Sequence, residues 1–266
     1  MSASSLKPVA LVTGASAGIG AIYAARLAEK GYDLILVARR ADRLKALSDK
    51  LGAAHGTKVE VVEADLTKDA DLTRVEKVLK DNSAITLLVN NAGNSTLAPV
   101  AKTAEEDAAA MIALNVTALT RLTHAVLPAF LSRNHGAIIN VASVLSFHAL
   151  PISAIYSGTK GYVMNFSRGL QQELAETNVR LQLVMPAATA TELWDLSGVP
   201  LASLNQATVM TSENLVDAAL AGFDKGEDIT LPSVADASLW DKFDQARSTL
   251  FAATQTGEPA PRYRAV

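Results

Sequence analysis

Short apolar runs closed by small or polar residues recur along the chain: 9–12 (VALV), 34–37 (LILV), 59–64 (VEVVEA), 85–89, 137–141 (AIINV) and 179–184. Blocks of this length, rich in leucine and β-branched residues, are the pattern of strands buried on both faces. Between them lie longer stretches of helical character at 22–30, through Leu47, at 72–79, at 103–131 and beyond Pro151. A helix at 214–222, a last strand at 228–231 and an amphipathic helix at 238–253 complete the reading. Strand and helix alternate at short intervals, which predicts an α/β fold with a doubly wound parallel sheet. No repeat or linker interrupts the pattern, so the expectation is one domain over 1–266. It has a loop-rich segment at about 187–213 and a C-terminal helix and tail at about 238–266.

Composition narrows the function classes. Of the 266 residues, 49% are hydrophobic and 19% charged, enough to bury a large core. The net charge of −3, with no basic block, argues against nucleic acid as a partner. Without cysteine there is no disulfide and no thiolate chemistry, and His55, His124, His135 and His148 have no ligand-like spacing, so no metal site is expected. No apolar run reaches the about 18 residues of a membrane span, and the N-terminus lacks the pattern of a signal peptide. A soluble cytoplasmic protein is the expectation.

Chemistry collects where the strands end. The first strand runs into TGASAGIG, residues 13–20, and then into a helix. A strand, a glycine-rich turn and a helix start form a phosphate cradle, with Gly14, Ser16, Ala17, Gly18, Ile19 and Gly20 as the backbone that would line it. The second strand closes on Arg39 and Arg40, where an acidic residue would bind the ribose 2′-hydroxyl of NAD and an arginine the 2′-phosphate of NADP. Cations at a helix N-terminus oppose the helix dipole, so a bound anion would account for them; Asp42 is read as the cap of that helix. After the third strand, Asp65 could accept from an adenine amino group with Leu66 packed on the ring, or Asp65 could serve the turn alone. Asn91, Ala92 and Gly93 follow the fourth strand, where small residues admit a flat ring or ribose and asparagines can tie strand ends together. Ligands of such sheets bind at the carboxyl ends of the strands, the edge all these motifs share.

On the same edge, Ser143 ends the strand at 137–141, and Tyr156 and Lys160 stand four residues apart on the following helix. That is about one turn, so phenol and ammonium share a face. A cation beside a phenol favours phenolate and would lower its pKa, and a serine hydroxyl could hold the oxygen of a reacting carbonyl. Asn115 lies among apolar neighbours in the long helix at 103–131 and is expected to be buried, either as a structural group or aimed at the site, holding water at a local kink.

From about Val9 to Thr191 the chain resembles the short-chain dehydrogenase/reductase family. TGxxxGxG, NNAG, Asn115, Ser143 and Tyr156-x-x-x-Lys160 occur in that family's order and at its spacing. The resemblance implies a Rossmann-like domain and a tetrad of Asn115, Ser143, Tyr156 and Lys160. Tyr156 would be the general acid in carbonyl reduction and the base in alcohol oxidation. Lys160 would lower its pKa and hold the nicotinamide ribose, Ser143 would orient the substrate oxygen, and Asn115 would anchor a relay water. It also implies NADP(H) through Arg39, with NAD(H) the lesser choice, a nicotinamide contact from Pro186 and either Thr189 or Thr191, and a homodimer or homotetramer. Alanine at 187 replaces the family's usual glycine after Pro186, which restricts the backbone there. The region at 187–213 covers substrate in the family. Leu193 and Trp194 within it, with Leu145 and Leu150, suggest a pocket for a hydrophobic substrate, and His148 is either a substrate contact or a plain loop residue.

The expected function is hydride transfer between NADP(H) and a small-molecule carbonyl or secondary alcohol. Two rivals remain: an NAD-dependent alcohol dehydrogenase of the same family, and a catalytically silent dinucleotide sensor, against which the intact tetrad argues.

Overall fold

The computed structural model describes residues 7–264; the N-terminal stretch read for a signal peptide lies partly outside them, at residues 1–6. The apolar runs form seven strands, β1 (Val9–Thr13), β2 (Asp33–Ala38), β3 (Val59–Glu63), β4 (Ile85–Asn90), β5 (Gly136–Val141), β6 (Val179–Val184) and β7 (Ile229–Thr230). They pair in parallel in the order β3-β2-β1-β4-β5-β6-β7. The order reverses between β1 and β4, the crevice where a doubly wound sheet takes its ligand.

Alternation along each strand feeds two cores. Ala10 and Val12 of β1 and Leu34 and Leu36 of β2 face one side, with α1 (Gly18–Glu29), α2 (Ala41–His55) and α8 (Ser212–Lys225). Leu11, Ile35 and Val37 face the other, with α3 (Asp69–Asp81), α5 (Leu119–Ser132) and α6 (Ala154–Glu173). Both faces are covered, as a parallel sheet requires.

The long helix expected at 103–131 is interrupted. α4 (Glu105–Ile112) passes into a π-helical stretch, Ala113–Ala118, before α5, and Asn115 sits inside that stretch. The continuous span Glu105–Ser132 contains an 18-residue window, with a mean hydropathy of 1.3, that is long and apolar enough to cross a membrane on composition alone, which corrects the reading that no such run exists. In the fold, Leu122, Val126 and Phe130 of this span are buried in the second core, and Leu119 is buried as well. Asp42 is also misplaced as a cap: Arg40 holds the N-cap position of α2 without a side-chain cap bond, and Asp42 lies within the first turn.

The segment 187–213 contains α7 (Leu193–Ser197) and two 3₁₀ turns, Leu201–Ser203 and Gln206–Thr208. A short backbone ladder closes its root: Ala190 N–H donates to Met210 O at 2.8 Å and Met210 N–H to Ala188 O at 2.9 Å.

The sheet and its helices form one compact unit ending at Pro232, and the chain from Ser233 clusters as a second. That second unit holds α9 (Ser238–Ala253), none of whose residues is buried, so its apolar positions are not core. Trp240 and Phe243 pack on each other with ring centroids 5.3 Å apart, while Leu250 and Phe251 are exposed.

Candidate active site

The glycine-rich turn owes its shape to two steric facts. Gly18 has φ +53, in the left-handed region, and a Cβ on Gly20 would stand 2.4 Å from Gly14 O and 2.5 Å from Asn91 Nδ2. α1 then begins at Gly18 behind Ala17, whose methyl offers no cap acceptor, so the first-turn N–H groups receive no side-chain partner. An uncapped helix N-terminus at the carboxyl end of β1 is a site for an anionic group, which is what a dinucleotide pyrophosphate needs.

Asn91 ties β4 to β1 at that edge, donating from Nδ2 to Thr13 O at 2.9 Å, while Thr13 Oγ1 accepts from the N–H groups of Asn91 and Ala92 at 3.0 Å each. Asn115 is buried, and its Oδ1 accepts from Asn94 N–H at 2.9 Å. Its Nδ2 donates to Asn94 O at 2.9 Å and to Thr159 Oγ1 on α6 at 3.1 Å. The π stretch thus carries a side chain that clamps the loop after β4 to α6. At Gly93 a Cβ would meet Asn115 Oδ1 at 3.2 Å and Lys160 Nζ at 3.6 Å, so a larger residue there would crowd the Asn115 amide.

Ser143 follows β5 and accepts from Leu145 N–H at 3.1 Å. Its side chain neighbours the Tyr156 phenol and draws that phenol's pKa down. Lys160 is buried one turn along α6, its ammonium donating to Val141 O at 2.9 Å and standing 5.8 Å from the Tyr156 ring centroid. The four tetrad positions are brought to one edge. Their electrostatics differ from the expectation, however. Burial pushes the Tyr156 phenol up to about 12, with Ser143 pulling the other way, and burial brings Lys160 down to about 8. Desolvation outweighs the cation's pull because the ammonium is bonded to a strand carbonyl rather than to the phenol.

A buried amide chain lies beneath. Register sets Asn90 opposite Asn140, and Asn90 Nδ2 donates to Asn140 Oδ1 and to Thr123 Oγ1 at 3.0 Å each. Asn140 Nδ2 continues to Ser167 Oγ at 2.9 Å on α6. Asn140, Thr123, Thr159 and Ser167 were missed by the sequence reading; an amide inside the apolar run AIINV was the available signal.

Toward the second strand the site opens to solvent. Arg39 is exposed and, among the described residues, without an ion pair. With Asp65, Asp71 and Arg74 it lines a cleft of about 670 Å³ on the β3 side. Asp65 Oδ1 is engaged by Thr67, from its N–H at 3.0 Å and its hydroxyl at 2.7 Å, so the turn role is realised. Leu66 belongs to the second core and is only 5% exposed, which leaves little of it to face a ring. Arg40 reaches Ser16 Oγ at 3.2 Å and Glu192 at 2.8 Å.

The two threonines separate. Thr189 is buried, donating to Ala187 O at 3.1 Å, while Thr191 stands against Gly18, its methyl 3.2 Å from where a Cβ on that glycine would lie. Pro186 is buried and its carbonyl accepts from Val144 N–H at 2.9 Å. Ala187 is not strained, since Asn134 is the one non-glycine with positive φ among the described residues. The apolar positions assigned to substrate lie on separate segments: Leu145 in the 3₁₀ turn after Ser143, Leu150 exposed before α6, and Leu193 and Trp194 on α7. Trp194 Nε1 donates to Thr189 O at 2.8 Å, and Leu97 N–H to Ser197 O at 2.7 Å, so α7 is fastened at both ends.

A family model described as short chain dehydrogenase matches residues 8–198. A short-chain dehydrogenase from Sphingobium yanoikuyae, in complex with NADPH, is similar at 44% identity and a TM-score of 0.94, over 97% of this chain and 100% of that one. A bulky-bulky ketone specific alcohol dehydrogenase from Comamonas testosteroni is similar at 37% identity and a TM-score of 0.89, over 97% and 99%. A very-long-chain 3-oxoacyl-CoA reductase of Pyrenophora tritici-repentis is 35% identical over 190 residues, 69% of this chain. The match spans 55% of that reductase's length.

Proposed function

The chain belongs to the short-chain dehydrogenase/reductase family and is an oxidoreductase taking a nicotinamide dinucleotide; from that premise we propose that it reduces bulky, hydrophobic ketones with NADPH. The observation that carries the reading is Ser143, at the end of β5, beside the Tyr156 phenol, with the buried Lys160 ammonium one helical turn along α6 and 5.8 Å from the Tyr156 ring centroid. When bound, the dinucleotide supplies the hydride. The chain's residues do the rest. Ser143 and Tyr156 donate to the carbonyl oxygen, and Tyr156 gives up its proton to the forming alkoxide. A phenol held near 12 keeps that proton until the oxygen's basicity rises, which suits an acid in the reductive direction. Lys160, cationic below about pH 8, stabilises the phenolate left behind.

Uncapped N–H groups of α1 receive the pyrophosphate, Arg39 and Arg40 the 2′-phosphate, and Thr191 rather than Thr189 faces the nicotinamide end, because the Thr189 hydroxyl is already engaged. Support for NADPH comes from Arg39 and from the relative that holds it; support for bulky ketones comes from the relative specific for them and the apolar residues of α7. The assembled form in this reading is a cytoplasmic homodimer or homotetramer. The test is oxidation of NADPH and NADH against a panel of bulky aryl and alkyl ketones, with Tyr156→Phe in parallel. NADPH-dependent turnover lost in the variant is expected; tight NADPH binding without turnover across the panel would overturn the substrate class.

A further inference from the structure

The corner between β2 and α2 carries Arg39, Arg40 and Arg43, and Glu192 follows Thr191 at the start of the lid. Glu192 holds the N-cap position of α7 yet makes no capping bond to that helix. Its carboxylate reaches to the far side of the crevice instead. Oε2 accepts from Arg40 Nη1 at 2.8 Å, and Arg43 Nη1 donates to Oε1 at 2.6 Å and Oε2 at 2.9 Å. Arg40 also donates to Ser16 Oγ at 3.2 Å, so one guanidinium joins the glycine-rich turn to the lid root. Hydrogen bonds from Arg40 and then Arg43 hold the Glu192 carboxyl below the usual carboxylate range.

The anion that offsets the cations at the start of α2 is therefore part of the chain. A 2′-phosphate arriving at this corner meets arginines already engaged, apart from Arg39. We propose that Glu192 is an internal competitor for the cofactor's 2′-phosphate, and that its displacement frees the α7 end of the lid. This rests on the NADP(H) reading above. The geometry suits an exchange. Both ion pairs are about half exposed, with side-chain exposures of 41% and 44% for the arginines and 51% for Glu192, so they are weak enough for a dianion to replace. Arg39, unpaired, offers a first contact. Trp194 lies two residues beyond Glu192 with its indole bonded to Thr189 O, so movement at the root is carried into the lid.

The test compares dissociation constants of NADPH and NADH for the wild type and Glu192→Gln. Removal of an exposed competing charge should tighten NADPH about three- to tenfold and leave NADH within about twofold. In a Trp240→Phe background, Trp194 emission should shift with NADP⁺ and not with NAD⁺, and the free Glu192→Gln variant should already show the shifted signal. Equal changes for both cofactors, or none, would make Glu192 a structural tie and overturn the proposal. A Trp194 signal blind to the 2′-phosphate would overturn its lid half. A wild type that binds NADPH no more tightly than NADH would overturn the cofactor reading itself, and the competition with it.

Discussion

The two ends of the site are built differently. At the tyrosine end, polar groups sit on regular elements and are held by buried partners: Asn115 on Asn94 and Thr159, Lys160 on Val141, and Asn140 between Asn90 and Ser167. At the arginine end, Arg40, Arg43 and Glu192 meet in solvent, and Arg39 stands exposed beside them at the end of β2. Proton transfer needs its groups fixed within a few tenths of an ångström, which a packed scaffold supplies. Recognition of a phosphate tolerates long, mobile cations. Mutations should therefore cost much at the first end and little at the second.

The largest effect is expected at Tyr156. Tyr156→Phe should lower kcat by about 10³-fold or more while the dinucleotide dissociation constant stays within about twofold. A loss confined to KM would erase the contrast. Next is Asn115→Ala, which deletes three hydrogen bonds and strands the Asn94 backbone groups. Urea unfolding should show a loss of about 2–3 kcal/mol, and activity should fall with it even in the folded fraction.

Lys160 sharpens the comparison through pH. Its folded pKa of about 8 lies below the ordinary 10.5, so the folded protein releases this proton first. The cost of burying the charge is thus fully present below about pH 8 and is relieved as pH rises toward 10.5. Lys160→Met should accordingly raise stability at pH 7 by about 1 kcal/mol while abolishing turnover, a trade of stability for function. In the wild type, kcat/KM for ketone reduction should decline above about pH 8 as the ammonium is lost. A profile flat through pH 9.5 would deny Lys160 its electrostatic part. At the exposed end, Arg39→Ala should weaken NADPH by about tenfold with NADH untouched and stability unchanged. Glu192→Gln should give the smallest change, and of the opposite sign.

Much of this was legible in the chain. The alternation of apolar blocks and helical stretches led to the parallel sheet, because a strand buried on both faces has few other ways to be written. Ser143, Tyr156, Lys160 and the glycine-rich turn were read from residue type and spacing, and the tetrad with Asn115 from the family resemblance. Less could be read where burial or distant pairing decides. Tyr156 beside Lys160 suggested a lowered phenol pKa, but only the packed fold shows that desolvation wins. Leu66 was read for a ring contact and is spent in the core. Asp42 was read as a cap, yet it lies inside the first turn.

What the sequence determined by itself is the order of elements, the edge on which the chemistry gathers and the residue types that carry it, since these follow from periodicity and local chemistry. The tertiary structure decided who partners whom. Glu192 binds arginines that precede it by about 150 residues, Asn115 spends its amide on a loop and a neighbouring helix, and Thr191, not Thr189, stands over Gly18. Such pairings depend on which segments the fold brings within 3 Å of each other, a distance that no local pattern encodes.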